Sequence, residues 1–237
     1  MSAWFAGDAG PDEVVDAVTL DDAPHQVSGL GLDVVPLRDV LTMWRREGPP
    51  VRLVLPVSGD VRGVPGPAEF RSAALEAEEA VCSGTLGLVP EVTDYWPSSA
   101  PSTVVWHAHV ITDVAPDHQQ LGDVAFELTT AIREAAVALT AADVAGSAAD
   151  VTDALRDARR AGEHLNLPPN FPPRAVALLA QAERMQAVLD LAADDPEGGA
   201  IDRFGMSARA SALRPLAAAV RRARLAGYNA AAEVRSS

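Results

Sequence analysis

Val51-Arg52-Leu53-Val54-Leu55-Pro56-Val57 is the stretch that decides the fold class. It is short and apolar, with Gly48-Pro49-Pro50 before it and a Gly/Pro loop after it, which is typical of a β-strand. Three more strand-like runs surround it, at 33–37, 85–92 and 103–112, with helical patterns at 37–46, where Val40, Leu41 and Trp44 share a face, and at 67–82. This region predicts a sheet of three or four strands with one or two helices.

From residue 117 onward the apolar pattern becomes helical. Apolar residues recur every three or four positions from Leu121 to Leu139, as on one face of an amphipathic helix. Ser147 and Asp150 resemble a capping box that begins a second helix over 151–158. Two further helices are predicted, one that begins after the prolines at 168–173 and is ended by residues 194–199, and one from about 202 to 233 with Pro215 as a kink or break. The fold class is therefore α+β, with a small sheet followed by a C-terminal four-helix region.

These patterns divide the chain into three parts. Residues 1–31 are rich in Asp, Gly and small side chains and show no periodicity, so we expect a weakly ordered segment. Residues 32–116 form a small α/β lobe, and residues 117–237 form a helical bundle packed on it.

Composition excludes several classes of function. The chain of 237 residues carries a formal net charge of −14, which disfavours binding to nucleic acid or to anionic membranes. Every basic residue is arginine, as GC-rich coding favours, so a Walker A lysine and the Schiff-base lysine of pyridoxal phosphate enzymes are both missing. One cysteine, Cys82, and the lack of an export signal or long apolar run predict a cytoplasmic protein with no membrane span.

One run of residues resembles a known family. Leu53-Val54-Leu55-Pro56-Val57-Ser58-Gly59-Asp60-Val61-Arg62-Gly63-Val64-Pro65-Gly66-Pro67, together with Pro172-Pro173-Arg174-Ala175 and Ala226-Gly227-Tyr228-Asn229, is similar to a family of uncharacterised actinobacterial proteins. The resemblance covers about residues 30–232. It implies no activity.

The loop from Gly59 to Gly66 is the first candidate site. It leaves a strand and enters a helix, where glycines let a backbone approach a ligand and helix N–H groups favour anions. The candidate ligand-binding residues are Gly59, Asp60, Arg62, Gly63, Gly66 and Arg71. The alternative is a connector whose glycines supply positive φ angles.

The second candidate is Trp106-His107-Ala108-His109. On a strand, Val104, Trp106, Ala108 and Val110 would face the core, whereas His107, His109 and Asp113 would share the other face. Two imidazoles on one face can chelate a metal or transfer protons, so these three residues are the catalytic candidates. The alternative is a half-exposed sheet face without a function.

The last helix is the third candidate, because it is basic in an acidic protein. From Arg203 to Ala232 it carries six arginines and no acid, while residues 1–125 hold nineteen acids against six arginines. Arg221, Arg222 and Arg224 are the interface candidates, since arginine pairs bidentately with carboxylates on the lobe or a second subunit. The alternative is a solvated helix face.

The sequence favours a non-catalytic binding or regulatory protein, because diagnostic catalytic motifs are missing. Its helical bundle would bind a protein partner or form a homo-oligomer, and no cofactor is predicted. The alternative is a hydrolase that uses the His107/His109 strand face, with or without a metal.

Overall fold

The computed structural model describes residues 2–20, 22–31, 33–48, 50–93, 101–112, 119–141, 165–168, 170–194 and 203–233. The chain divides into two compact units. The first comprises Met1–Asp117, Pro168–Asn170 and Ala231–Ser237, and the second comprises His118–Leu167 and Phe171–Ala230.

The first unit is a mixed sheet with short helices. The helices are α1 (Ser2–Ala6), α2 (Pro11–Thr19), α3 (Leu37–Glu47) and α4 (Ala68–Ala77). The strands are β1 (Gln26–Ser28), β2 (Val35–Pro36), β3 (Arg52–Val54), β4 (Ala80–Ser83), β5 (Leu86–Thr93) and β6 (Thr103–Val110). The strand order is β2-β1-β6-β5-β4-β3, in which β1 runs parallel to β6 and the other neighbours are antiparallel.

The sheet has six strands among the described residues, more than the three or four predicted. One extra strand is β1, within the segment expected to be weakly ordered. Val27 of β1 is fully buried, and β1 pairs with β2 on one side and β6 on the other. A strand of three residues is too short to show the alternation of apolar and polar residues that identifies a strand, and its partner β6 lies some 80 residues later. The prediction of a weakly ordered segment, which was based on composition, is therefore wrong for β1.

The other extra strand is β4. The helix predicted over 67–82 ends at Ala77, because Glu78 takes a left-handed conformation with φ 60° that stops it. Ala80–Ser83 then pairs with both β3 and β5. Cys82 therefore lies in a strand and not at the end of a helix.

Both faces of the sheet contribute to a core, so adjacent residues of β5 point in opposite directions. Leu88 packs with α3, in a cluster that includes Trp44 and Val27. Val89 packs on the other face against Phe70 of α4. The predicted apolar face of α3 is confirmed, since Val40, Leu41 and Trp44 are all buried.

The second unit contains α5 (Leu121–Ala141), α6 (Pro173–Asp194) and α7 (Arg203–Glu233) up to Ala230, three helices among the described residues. Their core includes Leu128 of α5, Leu178 of α6 and Val220 of α7. Pro215 lies within α7 without ending it. The helix predicted over 151–158 lies outside the described residues.

Together the two units make an α+β protein with seven helices among the described residues. Within the same residues, no helix is both long and apolar enough to cross a bilayer.

Candidate functional site

Strand β6 places its side chains alternately on the two faces of the sheet. Trp106 and Ala108 pack on the α3 side, whereas His109 and Ile111 meet Phe70 on the α4 side. His107 shares the α4 side because it pairs directly with Val89 of β5. The predicted alternation is therefore present, except that Val110 is 80% exposed and not in the core.

His107 lies between two polar side chains from neighbouring strands. Its Nδ1 is 3.0 Å from Oγ of Ser28, the residue that pairs with it from β1. Its Nε2 is 2.6 Å from a carboxylate oxygen of Glu91 on β5. Three strands thus bring a hydroxyl, an imidazole and a carboxylate into one hydrogen-bonded line.

The Glu91 carboxylate fixes which nitrogen of neutral His107 carries the proton. An ionised carboxylate only accepts hydrogen bonds, so Nε2 must carry the hydrogen and donate it. Nδ1 is then the unprotonated nitrogen, and the Ser28 hydroxyl donates to it. This arrangement places a base beside a hydroxyl.

His109 is on the same face but has a different neighbour. Its ring meets the ring of Phe70 edge to face, with centroids 5.6 Å apart. Phe70 is fully buried and fills the space that a side chain at Gly87 would need, since a Cβ there would lie 2.5 Å from the Phe70 ring. His109 therefore borders the α4 core.

A metal at the two histidines would compete with the hydrogen bonds that His107 already makes. Both ring nitrogens of His107 already have hydrogen-bond partners, so a metal would have to displace Ser28 or Glu91. Among the residues that the structure describes, no three His, Cys, Asp or Glu side chains are grouped to hold an ion. Asp113, the third predicted candidate, lies outside the described residues.

Several residues of the predicted ligand loop from Gly59 to Gly66 bind to other residues of the same turn. Asp60 closes a tight turn with Val57, and Gly59 in that turn has φ 87°. The Arg62 guanidinium donates two hydrogen bonds to the Asp60 carboxylate, at 2.9 and 3.0 Å. Arg62 is thus engaged by the loop, and Gly63, with φ 74°, supplies a second left-handed position.

The end of this loop meets the end of β6. The Gly66 carbonyl accepts a hydrogen bond from the Thr112 N–H at 3.1 Å. A Cβ on Gly66 would lie 3.2 Å from the Thr112 hydroxyl and 3.6 Å from the Arg71 guanidinium. The end of the loop and the end of the strand that carries both histidines therefore meet at Gly66, although β3 and β6 are not neighbours in the sheet and Arg62 turns onto Asp60.

The arginines of the last helix make pairs within the second unit. Arg222 Nε donates to Glu127 of α5 at 3.1 Å, and Arg224 Nε donates to Glu183 of α6 at 2.9 Å. Arg221 is half-buried on the same helix. Two of the three predicted interface residues thus connect α7 to its neighbours inside the unit.

His25 and Cys82 are two further residues of the first unit that sequence analysis or burial would draw attention to. The buried His25 accepts a hydrogen bond from the Trp106 indole N–H at 3.2 Å and lies 3.3 Å from Asp22. Burial raises the pKa of the Cys82 thiol to about 12, so the thiolate is disfavoured.

Ser28 and Glu91 are the site residues that sequence reasoning missed. They lie 79 and 16 positions from His107, so no motif joins them. The available signal was local: Ser28 follows a buried valine and precedes Gly29, as at the end of a strand.

Comparison with known proteins places the chain in a family. The Rv1486c-like protein N-terminal domain matches residues 1–121, and the Rv1486c-like protein C-terminal domain matches residues 122–225. The chain belongs to the Rv1486c-like family. The border between its two domains falls close to the division between the two compact units.

Two similar proteins come from mycobacteria. The uncharacterized protein Rv1486c of Mycobacterium tuberculosis (strain ATCC 25618 / H37Rv) is 30% identical over 97% of this chain and 93% of its own. The uncharacterized protein ML1804 of Mycobacterium leprae (strain TN) is 29% identical over the same shares. The predicted membership of an uncharacterised actinobacterial family is thus confirmed. No solved structure matches the chain.

Proposed function

We propose that the protein works by association, as a binding or regulatory protein whose second unit joins two copies of the chain through α5. The observation that carries this is an exposed apolar face: Phe126 and Val137 are 73% and 66% exposed. They are eleven residues apart, which is about three helical turns, so they lie on one side of α5. The buried residues of α5 occupy the opposite side and are Val124, Leu128, Ala131 and Ala135.

Threonines extend this face without adding polar groups that need a partner. The hydroxyl of Thr129 donates to the Ala125 carbonyl at 2.9 Å, and that of Thr140 donates to the Ala136 carbonyl at 2.8 Å. Because the helix itself satisfies these hydroxyls, covering them costs little. We define the α5 face as Phe126, Thr129, Thr130, Arg133, Val137 and Thr140.

The charge of the α5 face favours a second copy as its occupant. The chain has a net charge of −14, so two copies repel each other over most orientations. The α5 face itself carries one arginine, and the acids Asp123 and Glu134 lie at its edge, one turn from Phe126 and Val137. Glu127, the acid next to Phe126, is paired with Arg222. Two copies that meet through the centre of this face therefore keep their acids at its edge.

Two α5 helices packed antiparallel across a two-fold axis would place Phe126 of each copy near Val137 of the other. Only two large apolar side chains from each copy would be buried, while association costs translational and rotational freedom. We therefore expect a reversible dimer rather than a permanent one.

Sedimentation equilibrium over a wide concentration range tests this proposal. The native chain should show a monomer–dimer equilibrium, and the double variant Phe126→Asp/Val137→Asp should remain monomeric. Its melting temperature should equal that of the native chain at dilutions where the native chain is monomeric. Leu20→Asp is the control, because Leu20 is 72% exposed in the first unit. A native chain that stays monomeric at every concentration refutes the dimer. A double variant that does not fold shows that the α5 face packs inside a single chain.

Salt separates this face from the arginine interface predicted by the sequence. An apolar contact between two acidic chains should strengthen as salt screens their repulsion. An interface made by Arg221, Arg222 and Arg224 with carboxylates should weaken instead. A dimer that dissociates as salt is raised therefore favours the arginines over the α5 face.

A further inference from the structure

We propose that Ser28 is the nucleophile of an acyl-transfer site, with His107 as its general base and Glu91 as the residue that positions His107. This activity goes beyond the association proposed above and lies in the other unit. Of the two hydrolases predicted from the sequence, with and without a metal, this proposal corresponds to the one without a metal. The site needs no cofactor, because all three groups belong to the chain.

Ser28 occupies a position suited to an attacking hydroxyl. It is the last residue of β1, and Gly29 after it has φ 88°. A Cβ at Gly29 would lie 2.9 Å from the Ala108 carbonyl oxygen, so only glycine fits the turn. The chain therefore leaves the sheet directly after Ser28, at the end of a strand.

In its neutral form, His107 takes the tautomer that a general base requires. With Glu91 accepting from Nε2, the lone pair of Nδ1 points at the Ser28 hydroxyl. In serine proteases, Nδ1 of the histidine binds the carboxylate and Nε2 faces the serine, whereas in this protein Nε2 binds the carboxylate and Nδ1 faces the serine. Either order works chemically, since neutral imidazole has one donor and one acceptor nitrogen.

The line of three groups is open to solvent. The side chains of His107 and Glu91 are 44% and 65% exposed. Helix α4 covers this face of the sheet as far as His109, through Phe70. A substrate can therefore reach Ser28, but exposed groups stabilise charge weakly, so slow turnover is expected.

The reaction balances with these groups and water. Ser28 Oγ attacks the ester carbonyl while its proton moves to His107 Nδ1, and the C–OR bond breaks as that proton passes to the leaving alkoxide. Water then attacks the acyl–Ser28 ester, giving its proton to Nδ1, and the proton returns to Ser28 as the carboxylic acid leaves. Since the chain is strongly acidic, neutral and cationic carboxylic esters fit better than anionic ones.

A fluorophosphonate probe on the full chain tests the nucleophile directly. The probe should add to Ser28, forming an Oγ–P bond and releasing fluoride, and peptide mass mapping should locate it there. Ser28→Ala and His107→Gln should lower the labelling rate at least about a hundredfold with unchanged circular dichroism. The control is Ser58→Ala, in the exposed turn after β3, which should label normally.

Hydrolysis of p-nitrophenyl acetate gives an independent readout of Glu91. If Glu91 orients the base, Glu91→Gln should lower kcat about tenfold or more with KM nearly unchanged, and Glu91→Asp should restore part of the loss. A residue that only stabilises the fold would change the melting temperature instead.

Three results would overturn the proposal: no labelling of a folded chain, labelling at another residue, or equal rates for the native chain and Ser28→Ala. If Ser28→Ala does not fold, the location of the probe on the native chain still decides. The monomeric α5 variant should keep its labelling rate, so the two proposals fail separately.

Discussion

Arg224 of α7 donates its Nε–H to the carboxylate of Glu183 on α6 across 2.9 Å. Tyr228, one turn further along α7, donates its hydroxyl to the same oxygen at 3.0 Å. Glu183 is largely buried, with 16% of its side chain exposed. A carboxylate in this position needs both donors, so this cluster holds α6 and α7 together.

Removal of Arg224 should therefore destabilise the protein more than removal of Arg222. Arg224→Ala leaves a partly buried carboxylate with one donor, and we expect a loss of about 1.5–3 kcal/mol in the free energy of unfolding. Arg222 pairs with the more exposed Glu127, so Arg222→Ala should cost about 0–1 kcal/mol. Urea denaturation measures both, and equal losses would contradict the difference in burial.

Two helix glycines should respond to alanine with opposite signs. A Cβ on Gly227 of α7 would lie 2.6 Å from Cγ of the buried Leu179, so Gly227→Ala should cost about 1–3 kcal/mol through overpacking. Gly122 of α5 has open space around it, so Gly122→Ala should stabilise by about 0.4–1 kcal/mol. A gain in melting temperature for both variants would show that α6 and α7 are not in close contact at Gly227.

Stability should fall in alkaline solution because of Tyr228. Desolvation first, and then the charge and hydrogen bond of Glu183, raise the pKa of this phenol from 10.0 to about 12. The unfolded chain releases its proton near pH 10, so this contribution to stability is complete below pH 10 and declines up to pH 12. Tyr228→Phe should flatten the decline of the melting temperature in that window.

Cys82 titrates over an overlapping window, since its pKa is also raised to about 12. The pH series is therefore best done in a Cys82→Ala background. A decline that is identical with tyrosine and with phenylalanine at position 228 would rule out this cause.

The first 31 residues should be required for folding of the sheet. Val27 is fully buried between two strands, so Val27→Ala should cost about 1.5–3 kcal/mol. Val34→Ala, at a valine that is 54% exposed, is the matched control and should cost almost nothing. Brief proteolysis that removes residues 1–31 and leaves the rest fully folded would contradict this role.

Much of the fold could be predicted because it depends on local pattern. From Leu37 to Trp44 the apolar residues recur every three or four positions, and from Thr103 to Val110 the residues suited to each sheet face alternate. The sequence therefore predicts α3 and β6 to within a few residues. Strands β1 and β4 were missed because three or four residues carry too little period. Their pairing with distant strands, and not their own composition, makes them strands.

The candidate site divides in the same way. The sequence predicted that His107 and His109 share a face, since alternation along a strand is a local property. It could not predict that Ser28 and Glu91 flank His107, because that depends on the strand order β1-β6-β5. Nor could it show that Arg62 turns onto Asp60, or that Arg222 and Arg224 find carboxylates on α5 and α6.

The sequence by itself determined the α+β class, the family and the exclusion of lysine chemistry, because these follow from composition and from patterns within one element. Only the tertiary structure decided which polar side chains meet. A hydrogen bond forms over about 3 Å, and residues that lie 79 positions apart reach that distance only when their strands are neighbours.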